Sequence, residues 1–235
     1  MLTSPIVCHT LVIVPRPLRE ELRPELEEMA AIDFAHVGFR GASLDELAAR
    51  AGVTKGAVYF HFRSKLDLFV RALDRLEQLR EVACPDPSPE NPPIQQLRGF
   101  LVARLDFHAR HPELRRLHWI LDTELADEPI TASRDGIRAE HRSLRARIRQ
   151  LLQSAARRGD VDLTDPAEEA FRLAACFEGS LEQQSAAPED TLPFWDPERM
   201  VDGWLAPFQR RSRRRPDPRP APRVEQPDED FRPAF

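Results

Sequence analysis

The stretch Ala51-Gly-Val-Thr-Lys-Gly-Ala-Val-Tyr-Phe-His-Phe-Arg-Ser-Lys-Leu66, read with Ser43-Leu-Asp-Glu46 just before it, decides the fold. Ser43 followed by Glu46 is a capping box, a hydroxyl for the first free N–H groups of a helix and a carboxylate three residues on. It opens a short helix whose buried side is Leu44, Leu47, Ala48 and Ala51. Gly52 supplies the freedom a tight turn needs, and Val53 packs inward. Thr54 then caps a second short helix with Ala57, Val58 and Phe62 on its core side. Two short helices joined by a Gly-containing turn make a helix-turn-helix. The second helix keeps Thr54, Lys55, Gly56, Tyr59 and His61 for its other face, a set without an acid that suits a groove lined with phosphates. Ser64 caps the next helix, so Lys65 lies in its first turn, where helix N–H groups and an ammonium would hold one DNA phosphate.

The longer run from Phe34 to Phe69 resembles the N-terminal domain of TetR/AcrR-type transcriptional regulators. The resemblance lies in a Gly-aromatic pair ending helix 1 (Gly38-Phe39), the turn Ala-Gly-Val-Thr-Lys-Gly56, and Tyr-x-His-Phe62 ending the recognition helix; it covers roughly residues 22 to 72. It implies an all-α homodimer that binds a palindromic operator on double-stranded DNA, usually as a repressor, and releases it when a small molecule enters a C-terminal pocket. Carried over by position, Thr54, Lys55 and Gly56 would approach bases and backbone. Tyr59, His61 and Lys65 would hold phosphates, and Ser43 would touch the backbone from the preceding helix. Two departures stand out. Ile32-Asp33-Phe34 either places Asp33 where a Leu is expected or lacks one residue. The segment Arg19 to Glu28 is net acidic where the family often has a basic arm, which predicts modest non-specific affinity.

Working outward, the chain divides into an N-terminal extension (1–18), the helix-turn-helix domain with its connecting helix (19–82), a Pro-rich junction (83–93), a ligand-binding and dimerisation domain (94–211) and a tail (212–235) whose Arg, Pro, Asp and Glu predict disorder. The basic run Arg210 to Arg215 would add non-specific attraction to DNA or be a solvated charge run. The fourth helix should bury Leu66, Phe69, Val70, Leu73 and Leu76. Periodicity predicts further helices over 94–111, 112–126, 133–158, 165–184 and 197–211. In the longest of these, Ile137, His141, Leu144, Ile148, Leu151 and Ala155 form a seam. In the next, Ala167, Ala170, Phe171, Ala174, Phe177 and Leu181 point inward, with Gly179 allowing close approach. Both stripes suit either intramolecular core or a partner, and the resemblance implies a four-helix bundle across a dimer two-fold.

Net charge is -5, so basic character must be local; from Ala35 to Arg75 there are seven Lys or Arg against four acids. Cys8, Cys84 and Cys176 are odd in number and form no Cys-x-x-Cys pair, which argues against a disulfide framework or a zinc site and fits a reducing cytoplasm. A redox-sensing thiol at Cys84 or Cys176 stays open. The apolar opening from Leu2 to Val14 is too short, and too interrupted by Pro5 and His9, for a signal peptide or a membrane span. Phe100, Phe107, Trp119, Phe171 and Phe177 would line an apolar ligand cavity, with Arg104, His108 and Asp122 or Glu124 orienting the ligand. His108, His111 and His118 lack a supporting carboxylate pattern, so no metal is expected, and no cofactor either. No nucleophile elbow or phosphate loop is present, so an enzyme is not expected. A helical scaffold or a small-molecule-modifying enzyme on a degenerate DNA-binding fold is the alternative.

Overall fold

The structure, a computed structural model, describes residues 22–212. The expectations for the N-terminal extension and Cys8, for the tail, and for the side chains of the basic run from Arg210 lie outside the described residues. Among the described residues every regular element is a helix. The helices are α1 (Leu22–Gly41), α2 (Leu44–Arg50), α3 (Lys55–His61), α4 (Lys65–Ala83), α5 (Pro93–Arg110), α6 (Pro112–Thr123), α7 (Thr131–Arg158) and α8 (Pro166–Ala186). A helical turn α9 (Pro188–Thr191), a 3-10 turn (Leu192–Phe194) and α10 (Pro197–Ser212) complete the set.

Local chemistry sets the starts. Ser43, Thr54 and Ser64 each accept the N–H of the residue three positions on, at 3.4, 3.2 and 3.1 Å, and Asp165 caps α8 through Ala167 and Glu168. Pro93, Pro112 and Pro166 sit in first turns, where a missing N–H costs nothing. Gly52 (φ 67°) and Gly159 (φ 75°) stand in the left-handed region, one in the α2–α3 turn and the other ending α7.

Two apolar cores result. The first joins Leu26, Ala30 and Phe34 of α1 to Leu47, Val58, Phe62, Leu68, Phe69, Leu73 and Leu76. Phe34 and Phe39 both meet the Phe69 ring, at 5.2 and 5.8 Å between centroids. This core does not stop at the Pro-rich segment. Phe107 of α5, Leu114, Leu117, Ile120 and Leu121 of α6, and Leu125 belong to it, so α6 is built into the helix-turn-helix body. The second core joins Leu97, Leu101 and Leu105 of α5 to Ile148 and Leu152 of α7, Leu173 and Phe177 of α8, and Val201, Leu205 and Phe208 of α10. Each such leucine removed from water stabilises the fold by about 1.5–3 kcal/mol.

The stripes differ in detail from the expected ones. On α4, Leu68 and Ala72 are buried while Leu66 and Val70 are only half-buried, because α1 and α6 cover the helix from two sides. The α7 seam from Leu144 to Ala155 is taken up inside the chain by α5 and α8, not kept for a partner. On α8, Ala167 and Phe171 face outward and Leu173 faces inward, and nothing lies within 4 Å of a Cβ built on Gly179.

Candidate nucleic-acid interface and the charged seam behind it

The helix-turn-helix presents α3 to solvent. Val58 and Phe62 anchor it, leaving Thr54, Lys55, Gly56 and Tyr59 exposed together with Phe60, which is 70% exposed. Gly56 leaves open space above the helix start: a Cβ there would meet only Thr54 Oγ1, at 3.7 Å. Lys55 Nζ donates to Asp45 Oδ2 of α2 at 2.8 Å, and this bond raises the ammonium's pKa. Both partners are about half exposed or more, so the pair contributes little to stability and the ammonium can exchange its partner for a phosphate.

His61 is placed otherwise than expected. Its Nε2 is buried without a hydrogen-bond partner, and its ring is edge-on to Phe60 at 5.4 Å, so it supports the exposed aromatics rather than facing outward with Tyr59. Ser43 is half-buried and engaged as the α2 cap. Lys65 sits over the Phe39 ring at 5.0 Å and donates to the Arg40 carbonyl at 3.2 Å. Burial lowers its pKa, with the Glu124 carboxylate acting in the opposite sense. That carboxylate accepts the Arg40 N–H at 3.2 Å, so both peptide groups of Arg40 are held, the carbonyl from α4 and the N–H from the end of α6.

Asp33 is half-buried beside the fully buried Phe34 and binds Arg50 at the end of α2, at 2.6 Å, so an ion pair joins α1 to α2 at this position. Arg40 and Arg63, absent from the expected contact set, have exposed side chains that make no ion pair among the described residues. The available signal was their place in the sequence, Arg63 directly after the Tyr-x-His-Phe run and Arg40 directly after the Gly38-Phe39 pair.

Between the two cores runs a charged seam. Arg80 of α4, 3% exposed, binds Glu77 at 2.8 Å and Glu140 of α7 at 3.0 Å. Arg104 of α5 binds the same Glu140 oxygen at 2.5 Å and stacks on Phe100 at 4.7 Å. His118 of α6 meets the other Glu77 oxygen at 2.8 Å. Burial pushes the Glu77 carboxyl up, but His118 and Arg80 outweigh it and hold it at about 2. His108, beside Phe107 and Phe177, is pushed down to about 3, first by burial and then by His118 and Arg80.

Of the expected ligand residues, Arg104, His108 and Phe177 meet in this seam, around a space of only ≈ 30 Å³. Phe100 and Arg104 also border a cleft beside Cys84, whose thiol burial pushes up, away from the thiolate a redox sensor needs. Phe107 is plain core. Trp119 is 45% exposed beneath the Arg116 guanidinium (4.1 Å), Phe171 is 64% exposed, and Asp122 lies on the surface against α7 arginines. These three do not line the seam, because the α6 and α8 faces that carry them turn away from it. Among the described residues no group of three or more His, Cys, Asp or Glu is placed to hold a metal ion, and no helix is long and apolar enough to cross a membrane.

The seam predicts an acid-sensitive fold. His108 binds its proton near pH 6.5 when unfolded and only near 3 when folded. Its contribution is therefore complete above pH 6.5 and lost as pH falls toward 3, by up to about 1.4 kcal/mol per pH unit. Glu77, lowered from 4.5 to about 2, adds a loss only below 4.5. Urea unfolding at pH 7 and pH 5 should show wild type losing stability and His108→Gln losing measurably less; equal losses in both proteins would contradict the assignment.

Residues 29–72 match the family profile of bacterial regulatory proteins, tetR family. The chain is 33% identical over 144 residues to the probable acrEF/envCD operon repressor of Escherichia coli (strain K12), covering 59% of this chain and 64% of that protein's length. Among solved structures, a TetR-like transcriptional regulator from Rhodococcus sp. RHA1 superposes with a TM-score of 0.62 at 20% identity, over 82% of this chain and 94% of that one. AibR in complex with isovaleryl coenzyme A and operator DNA superposes with a TM-score of 0.57 at 20% identity, over 80% and 98%. At such identity these superpositions establish the shared helical fold.

Proposed function

By its N-terminal domain the chain belongs to the TetR/AcrR family, and on that premise we propose that it is a homodimeric transcriptional repressor released from a palindromic operator by a small molecule. The observation that carries the reading is the exposed start of α3, where Thr54, Lys55, Gly56 and Tyr59 form an acid-free face beside Arg40, Arg63 and Lys65. Such a helix reads base edges from its N-terminal residues while flanking cations hold phosphates. One head reads a half-site, and two-fold symmetry supplies the other about 34–36 Å away. In the dimer we infer, the interface is built from apolar residues left outside the cores, Phe171 on α8 and Leu192 and Phe194 after α9. AibR, which shares this helical fold, is seen in complex with both isovaleryl coenzyme A and operator DNA, which supports a small-molecule site and a DNA-reading head in one such chain.

Selection from a random duplex pool, with the mass of the winning complex, tests this. A palindromic consensus bound by two chains is expected; no enrichment at low salt would overturn the reading. On the selected duplex, Tyr59→Ala and Arg63→Ala should weaken binding to all sequences, with Arg63→Ala also flattening the salt dependence, whereas Lys55→Ala should change which bases are preferred. Gly56→Ala should leave the melting temperature unchanged or raised, since its Cβ enters open space. It should nonetheless cost about tenfold or more in affinity, a loss of about 1.4 kcal/mol, by blocking close approach to DNA. Unchanged affinity in Gly56→Ala would remove α3 from the interface.

A further inference from the structure

A cleft of ≈ 540 Å³ lies between the helix-turn-helix body and the C-terminal helices, apart from the small space in the charged seam. Its walls are Ile32, Ala35 and His36 of α1, His108 and Ala109 of α5, Arg115 and Arg116 of α6, and Leu181 of α8. Ile32 is an apolar side chain 48% exposed. His108 Nδ1 is buried without a hydrogen-bond partner at the point where cleft and seam meet. The lining charges are unequal in commitment. The acid, Glu113, is engaged by His111 at 3.0 Å, and Arg115 is shared between Glu178 and Glu182 at 3.4 and 2.7 Å. Arg116 makes no ion pair among the described residues and is held only by its stack on Trp119. The charge left over at the rim is positive, and the walls are mostly apolar.

We propose that this cleft binds an anionic amphiphile, a compact apolar body carrying a carboxylate or similar anion that Arg116 receives, and that its occupancy lowers DNA affinity. The apolar body displaces water from Ile32, Ala35, Ala109 and Leu181, and the anion gains a charge-assisted bond at a planar guanidinium. The occupant touches α1 on one side and α8 on the other. It therefore binds more tightly to whichever separation of the two fits it, and shifts the equilibrium toward that separation. The effect on DNA rests on the regulator reading above; binding itself does not.

Calorimetry of the full chain without DNA, using octanoate, octanol and octylamine as probes, tests the binding. Octanoate should bind one per chain and more tightly than octanol, and octylamine least. Arg116→Gln, a change at a half-buried residue outside both cores, should weaken octanoate about tenfold, the loss of one charge-assisted contact, and leave octanol unchanged. Ala109→Phe, filling the cleft, should weaken both, with circular dichroism confirming the helical fold. No octanoate binding, octylamine equal to octanoate, or octanoate indifferent to Arg116→Gln would overturn the proposal. Octanoate at saturation should then reduce affinity for the selected duplex; binding as described without such a reduction overturns the coupling. A chain that binds octanoate as described but enriches no DNA sequence leaves the cleft in place and removes the regulator reading instead.

Discussion

Gly38→Ala is expected to destabilise the protein by about 1–3 kcal/mol and to weaken DNA binding along with it. The residue interrupts α1 at φ 77° and ψ 171°, a conformation that residues with a Cβ scarcely adopt. An added Cβ would also fall 2.5 Å from Glu124 Oε1, so the carboxylate that holds the Arg40 N–H must move. Lys65, gripping the carbonyl of the same residue, then loses the fixed partner that orients it. Denaturant unfolding and duplex binding together measure both effects. Glu124→Ala separates them: it frees the turn without straining the backbone, so it should cost less stability than Gly38→Ala while reproducing its binding defect. A Gly38→Ala protein as stable as wild type would mean that the turn is not held in this conformation.

A larger loss, about 3–5 kcal/mol, is expected for Glu140→Ala. Glu140 is the carboxylate of Arg104 and one of two for Arg80, and both guanidiniums are buried. Removing it leaves Arg104 charged, desolvated and held only by its stack on Phe100. Most of the cost is that stranded charge rather than the worth of the bond, so removing both charges should recover much of it. The double replacement Arg104→Met with Glu140→Leu should be closer to wild type than Glu140→Ala alone. If the double variant is the less stable of the two, the seam is held by attraction beyond its desolvation cost.

The parts of this fold legible in the sequence are those decided within a turn of helix. Ser43, Thr54 and Ser64 act on N–H groups three residues away, Gly52 supplies its own turn, and first-turn prolines begin α5, α6 and α8. Helix existence and order follow from such local chemistry, as does the outward face of α3. Facing relations between helices did not follow. The Asp33–Arg50 and Lys55–Asp45 pairs span 17 and 10 residues, and the Arg104–Glu140 pair spans 36. Phe171 and Trp119 carry the same apolar signal as Phe177 but stand on the opposite sides of their helices. The candidate cleft was hidden for the same reason. It takes one wall from α1, so of the nine residues first named for a ligand only His108 lines it.

The division of α5 between the two cores, and the placement of α6 in the first, bear on how such proteins can be recombined. Phe107, Leu114, Leu117 and Ile120 complete the core around Phe34 and Phe69, while Leu97 and Leu101, on the same α5 as Phe107, belong to the other core. A chimera spliced at the Pro-rich segment 83–93 would take the reading head without its own floor and give it the donor's α6 instead. Exchange of sensors between relatives therefore has to carry the α5–α6 face along with the head, or match it residue for residue at the new seam.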